Sequence, residues 1–423
     1  VGRLESLGGS LKLLRSISRE GNIYELGSNW LLMKLNHYFN LAGIVVMLAI
    51  NSARAQADLN TNAAFVPTNP AALQPLKNKK SPTYRAAKNF QRGVNLGDYL
   101  EASGNWGVTV EAKEFVTIKK EGFDHVRVPV GWHRYAGPAP DFTLSPEIFG
   151  KVDFVVTNAL KNKLAVMINI HHFNAMDKDP AAATEQFVAM WRQIAAHYQN
   201  FPLTLAFELD NEPHEKATTE LMNPIYARTI AEIRRTNPKR TLVVEPGSWG
   251  GIGELSKLVL PSDDNVMVSV HCYEPFFFTH QGAGWVGADF KQTGFLYPGP
   301  PAEPLVADLT LNPKNYVLQR IKAYNTLPTA ENPSSAKAFA GKLKYVRAWS
   351  EYYGRPVHIG EFGAYIKADE QSRANFYAAF RQTAEREKLG WCIWDWSASF
   401  RYWDKKKDCA LPGMHDALFG KTP

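Results

Sequence analysis

Cysteine is scarce in this chain. The three that occur in 423 residues, Cys272, Cys392 and Cys409, are too few and too scattered for a disulfide framework or a zinc cluster. Cys272 and Cys392 sit inside apolar runs and read as buried free thiols. Excess charge is also scarce. The formal net charge is +7, but the first 55 residues carry six basic and three acidic side chains, so the remainder holds 42 basic against 38 acidic residues, a net +4. No Lys/Arg stripe stands out in that remainder, and nucleic-acid binding is not expected. No internal repeat is visible. The histidines match no zinc spacing, and neither Ser248 nor Ser269 sits in a nucleophile elbow, so no metal, no cofactor and no serine-hydrolase chemistry is expected.

What is present begins with an N-terminal pattern. From Met33 the chain shows a positive Lys34, an apolar run over 39–50 that is short for a membrane span, and the small-x-small triplet Ala53-Arg54-Ala55. Together these read as a secretory signal peptide over 33–55, cut after Ala55. The expectation is therefore a secreted, extracellular or periplasmic protein, with no membrane segment after cleavage and a monomeric state. Residues 1–32 lie upstream of that start and are set aside as an extension of undefined status. Residues 56–84 are rich in Ala, Asn, Pro and Lys without hydrophobic period, the signature of a flexible tail or linker. The catalytic domain is expected over 85–423.

Past residue 84 short β-rich runs alternate with longer amphipathic stretches, which implies βα units and a parallel sheet. Eight runs are expected as strands: 92–96, 125–130, 165–170, 203–209, 241–246, 266–272, 356–361 and 391–396. Helical stretches such as 184–198, 224–236, 336–353 and 371–388 separate them. Eight βα units close into a (β/α)8 TIM barrel, an α/β fold. The ends of nearly all these runs carry polar residues: Asn95, Arg127, His171 and His172, Asn211 and Glu212, Trp249, His271 and Tyr273, Glu361, and Trp394. Barrel enzymes build their sites at the C-terminal strand ends, and buried polar groups are costly unless they serve something.

Two glutamates on separate strands across a barrel mouth suit glycoside hydrolysis, one carboxyl neutral to protonate the leaving oxygen and one ionised to attack the anomeric carbon. Glu212 and Glu361 are those candidates. Asn211 can hold a sugar 2-hydroxyl, Arg127 and Tyr273 can donate to Glu361 and keep it anionic, and Trp394 offers a flat face to a pyranose ring. Glu208, four residues before Glu212, falls within a strand and reads as a buried hydrogen-bonded group inside the barrel. Asp210 either points inward, where its charge would raise the pKa of Glu212, or outward without effect.

The runs Leu209-Asp210-Asn211-Glu212-Pro213 and Ile359-Gly360-Glu361-Phe362-Gly363, with Arg127 in Val-Arg-Val-Pro, the pair His171-His172, His271-x-Tyr273 and Trp394, resemble glycoside hydrolase family 5, the large family of cellulases and mannanases. The resemblance covers roughly residues 90–419. It implies a retaining endo-acting β-1,4-glycanase, foremost an endo-β-1,4-glucanase, with Glu212 as acid/base, Glu361 as nucleophile and a polysaccharide partner; the alternatives are an endo-β-mannanase or mixed-linkage glucanase on the same site, or more distantly a barrel that binds polysaccharide without cleaving it. The stretch Phe276-x-x-Thr279-His280-Gln281-Gly282-Ala283-x-Trp285 is similar to a bacterial endoglucanase/mannanase branch, which implies His280 and Trp285, and with them Glu101, as substrate contacts. Asn95, from its place at the end of the first run, and by the same resemblance Arg127, His171, His172, Asn211, His271, Tyr273 and Trp394 are expected to line the substrate site. The Pro-rich segment 287–335 is expected to wall one side of the cleft.

Overall fold

The computed structural model describes residues 81–102 and 108–420. The expected extension 1–32, the signal peptide 33–55 and all but the last four residues of the expected tail lie outside the described residues. Eight parallel strands close into one barrel in sequential order: β1 Arg92–Asn95, β2 His125–Val128, β3 Ala165–Asn169, β4 Leu205–Glu208, β5 Leu242–Val244, β6 Val266–His271, β7 Val357–Phe362 and β8 Gly390–Ile393. Each expected run contains its strand except the last, where β8 begins one residue early and ends three short, and the seventh, where β7 runs on to Phe362. Strands covered on both faces need apolar side chains throughout, and β3 (Ala-Val-Met-Ile-Asn) is buried at all five positions.

Successive side chains in a strand point to opposite faces, so every second residue enters the barrel. The deeper interior is apolar, filled by Ala165, Met167, Ala206, Val243 and Met267 with Phe90 beneath them. One step further along the same strands the inward positions become polar: Asn95, Arg127, Asn169, Glu208 and Ser269, with Glu245 just past β5, all buried. The register pairs Asn95 with Arg127 and Asn169 with Glu208, which sets these groups at one level. The β6–β7 pairing shifts register between Val270 and His271, and the β7–β8 pairing shifts between Ile359 and Phe362. Such irregularities re-aim side chains next to active sites, and these sit where His271 and Glu361 leave the sheet.

The expected tail extends too far. Pro82–Ala87 is a helix with proline in its first turn; Ser81 and Thr83 are buried, and the Thr83 N–H donates to the Asp264 carbonyl at 3.3 Å. The described part of the barrel domain therefore starts at Ser81. Proline and alanine suit a helix start as well as a loop, and the docking that decides between them is tertiary.

The segment 287–335 carries the helix Asn315–Thr326 and packs on the β6 loop. Gln281, almost fully buried, donates to the Phe295 carbonyl at 2.9 Å and accepts from the Gly294 and Phe295 N–H groups at 2.9 and 3.1 Å. Phe290 meets Phe276 edge-on at 4.9 Å. Cys272 and Cys392 are buried thiols and Cys409 is exposed.

Candidate active site

Arg127 organises the mouth of the barrel. Its guanidinium carries five donors in a rigid fork, and four side chains take four of them: Nε donates to Glu208 Oε2 at 2.6 Å, Nη1 to Asn95 Oδ1 at 2.8 Å and Glu361 Oε1 at 2.7 Å, and Nη2 to Asn211 Oδ1 at 2.6 Å. Glu245 Oε1 lies 3.5 Å from Nη2. Burial works against the charge on Arg127, but Glu208, Glu361 and Glu245 outweigh it and hold the guanidinium firmly protonated. Asn95 fixes the fork from below by donating to the Gly360 and Ile393 carbonyls at 3.0 and 3.1 Å.

The two candidate carboxylates sit above this platform. Glu361, at the end of β7, accepts from Arg127 on one oxygen and from the Tyr273 hydroxyl at 2.7 Å on the other. Glu212 follows β4 at a left-handed φ of 53°. Its backbone N–H donates to Glu245 Oε2 at 2.8 Å, and its Oε1 lies 2.7 Å from His271 Nδ1. That nitrogen is also 3.6 Å from Glu361. One oxygen of Glu212, one of Glu361 and a ring nitrogen of His271 all lie within 4.8 Å of one another.

The electrostatics follow from these contacts. Burial pushes the Glu361 carboxyl upward; His271, Arg127 and the Tyr273 hydrogen bond pull it back, and the net direction is up. Burial also raises Glu212, but the hydrogen bond and charge of His271 reverse it, and its net direction is down. His271 itself stays protonated well above the usual histidine range, because Glu245 and then Glu361 overcome its burial. The two directions together favour the proton on the imidazole side of the His271–Glu212 link. Beneath it, burial lifts Glu208 to about 7 against the pull of Arg127.

A model of cellulase, glycosyl hydrolase family 5, matches residues 86–400. The chain belongs to glycosyl hydrolase family 5. Among curated relatives it is 26% identical over 314 residues to endoglucanase H of Acetivibrio thermocellus and 27% identical over 357 residues to endoglucanase 3 of Fibrobacter succinogenes. Those matches cover 74% and 79% of this chain but only 30% and 53% of the relatives. The solved structure of an endoglucanase from Thermotoga maritima superposes with a TM-score of 0.70 at 34% identity, covering 80% of this chain and all of that one. Structures of the Thermotoga protein with cellobiose and with mannotriose fit equally well, each at 33% identity.

Within this family 5 barrel the expected site residues separate into two groups. Glu212, Glu361, His271, Tyr273 and Asn211 converge at the mouth; no hydrogen bond among the described residues takes Asn211 Nδ2, while its Oδ1 is held by Arg127. His172 is exposed beside them, and Trp285 is 42% exposed, edge-on to Tyr365 at 4.9 Å. His280 is buried and stacks on Phe276 at 4.0 Å, with burial lowering its pKa to about 3 and keeping it neutral. Trp394 is 9% exposed and lies parallel to His171 at 5.8 Å.

Four residues expected as substrate contacts are buried among protein partners. Asn95 and Arg127 have no exposed surface, and their polar atoms are spent on the protein. His171 is buried beneath Trp394, its Nδ1 3.3 Å from the Asn169 amide. Glu101 is buried too, accepting from the Asp98 and Tyr99 N–H groups, and burial raises its carboxyl to about 8. Asp210 is buried, and its burial together with Asp177 and Glu245 drives its carboxyl well above the ordinary range, so it brings no negative charge to Glu212. Glu208 lies inside the barrel, as its place in the strand indicates.

Glu245 and Ser269 were not legible as part of the site. The signal was there in Val243-Val244-Glu245-Pro246: an acid at an inward position that closes an apolar strand.

Proposed function

We propose that this chain is a retaining endo-β-1,4-glucanase, with Glu361 as nucleophile and Glu212 as acid/base. The observation that carries the reading is the approach of Glu212 and Glu361 to within 4.8 Å. Retaining enzymes keep their carboxyl groups about 5–5.5 Å apart, whereas inverting ones need about 6.5–9.5 Å to admit a water. In the first step a Glu361 oxygen forms a bond to the anomeric carbon as the glycosidic C–O bond breaks, and the leaving oxygen takes a proton from Glu212. The 2.7 Å link to His271 supplies that proton to Glu212 as the sugar approaches. In the second step water attacks the same carbon, Glu212 takes the water's proton, and the ester to Glu361 breaks with net retention.

The endoglucanase names of the relatives support a β-1,4-glucan as substrate. The mannotriose complex of the Thermotoga protein supports mannan as the second reading, since glucose and mannose units differ only at the 2-hydroxyl that Asn211 Nδ2 is placed to meet. Secretion after cleavage at Ala55 belongs to the same reading, supported by the 33–55 pattern; N-terminal sequencing of exported protein tests it. For the catalytic reading the test is a fluoro-sugar inactivator with mass mapping of the labelled peptide, alongside product profiles on cellulose, mixed-linkage glucan, glucomannan and mannan. The label is expected on Glu361. A label on Glu212 or another carboxylate overturns the assignment, and release of the inverted anomer overturns retention.

A further inference from the structure

Glu245 is fully buried just beyond β5, one strand away from the acid/base, and touches no space a sugar could enter. Yet it grips three parts of the site at once. One oxygen, Oε2, accepts the Glu212 backbone N–H at 2.8 Å. The other accepts the Ser269 hydroxyl at 3.2 Å and lies 2.9 Å from His271 Nε2, an oblique approach that works as a charge contact and not as an aligned hydrogen bond. His271 in turn presents Nδ1 to Glu212 at 2.7 Å. A backbone amide, an imidazole and the catalytic side chain they both serve are thus referred to a single carboxylate.

We propose that Glu245 is a positioning residue for the acid/base step: it pins the backbone of Glu212, and its negative charge sets the charge that the His271 ring carries beside the Glu212 carboxyl. The inference rests on the assignment of Glu212 as acid/base. The physical reason is placement. Glu212 sits in a left-handed backbone conformation that a non-glycine residue adopts only when surrounding structure holds it there, and the Glu245 acceptor is what meets its N–H. An imidazole between two carboxylates carries a proton that belongs to the set, not to one residue.

Other charges face His271 as well. Glu361 lies 3.6 Å from Nδ1 on the β7 side, Glu208 lies on the β4 side, and Arg127 of β2 lies 3.5 Å from the same Glu245 oxygen that meets the ring. His171 and His358 feel the ring from β3 and β7, and both are driven neutral by burial. Of all these, Glu245 contributes most to keeping the ring charged. The sign is therefore fixed. Without the Glu245 charge, His271 releases the shared proton at lower pH, so the alkaline limb of kcat/KM moves down. At the acid limb His271 still carries its proton, so Glu361 keeps its cationic neighbour and that limb stays near its place; the profile narrows from the alkaline side.

The test is Glu245→Gln, which keeps shape and an acceptor for the Glu212 amide while removing the charge, assayed on soluble β-glucan over pH, with Glu212→Gln in parallel. Glu245→Gln is expected to lower the alkaline limb by about one pH unit or more and to reduce kcat with little change in KM. An unmoved pH profile overturns the proposal. If Glu212→Gln loses aryl-glycoside and polysaccharide activity equally, the underlying acid/base reading fails instead, and the two failures are told apart. A measurement on the unaltered protein guards against a variant that does not fold: the His271 ring nitrogens, followed by NMR, are expected to be doubly protonated at neutral pH. A neutral single tautomer there overturns the proposal.

Discussion

The side chain of Tyr273 reaches Glu361 with one hydroxyl and nothing else of the catalytic pair. That hydrogen bond favours the ionised carboxylate, so Tyr273→Phe is expected to raise the pKa of Glu361 and move the acid limb of kcat/KM to higher pH, by about half a unit to one unit; a pH–rate profile reads it directly. Glu212→Gln is expected to cut turnover of polysaccharide by a factor of about 100 or more while sparing the first step on an aryl glycoside whose leaving group needs no proton. Equal loss on both substrates would count against Glu212 as the acid. Both predictions were available from residue types and spacing. The role of Arg127 was half available: its donation to Glu361 follows from strand placement, but its complete burial does not, because sequence cannot say that four neighbours will take four of the five donors of the fork.

At the scale of elements, β7 shows how little room the mouth leaves. A Cβ on Gly360 would come within 2.4 Å of Ser269 Oγ and 2.9 Å of His271 Nε2. Gly360→Ala must therefore push β6 and β7 apart where the register already shifts. It is expected to lower stability by about 1–3 kcal/mol and to depress kcat beyond what the loss of folded protein explains, measured by denaturant melts and active-site titration. Strands were legible because both faces are covered and the apolar runs are nearly unbroken. The hub formed by Glu245 and Ser269 was not, since a buried acid within such a run looks the same whether it serves catalysis or only a neighbouring arginine. The Pro82–Ala87 helix was hidden for the opposite reason. Its composition is that of a linker, and only contact with the β6 side of the barrel gives it a fixed place.

Across the whole molecule, the two ends of the barrel differ in kind. The floor is closed by Phe90 against Met167, Val243 and Met267, with His125 meeting Phe90 edge-on at 5.3 Å. A chain begun at Arg92 lacks that plug and is expected to be less stable than one begun at Ser81 by about 3 kcal/mol or more, with a lower midpoint in urea. The mouth is built otherwise. His172, Glu212, Ser248 and Trp249 all take left-handed backbone angles, with φ between 53° and 58°, each at a cost of about 1–2 kcal/mol for a residue with a side chain. These four lie just beyond β3, β4 and β5, along one arc of the rim. Selection for heat resistance and selection for turnover thus act on opposite ends of the same barrel: relaxing that arc would give a sturdier protein with its acid/base out of place, so gains in thermal tolerance are to be sought in the floor and the outer helices, where the residues held at left-handed angles, Lys163 and Lys388, carry no group of the site.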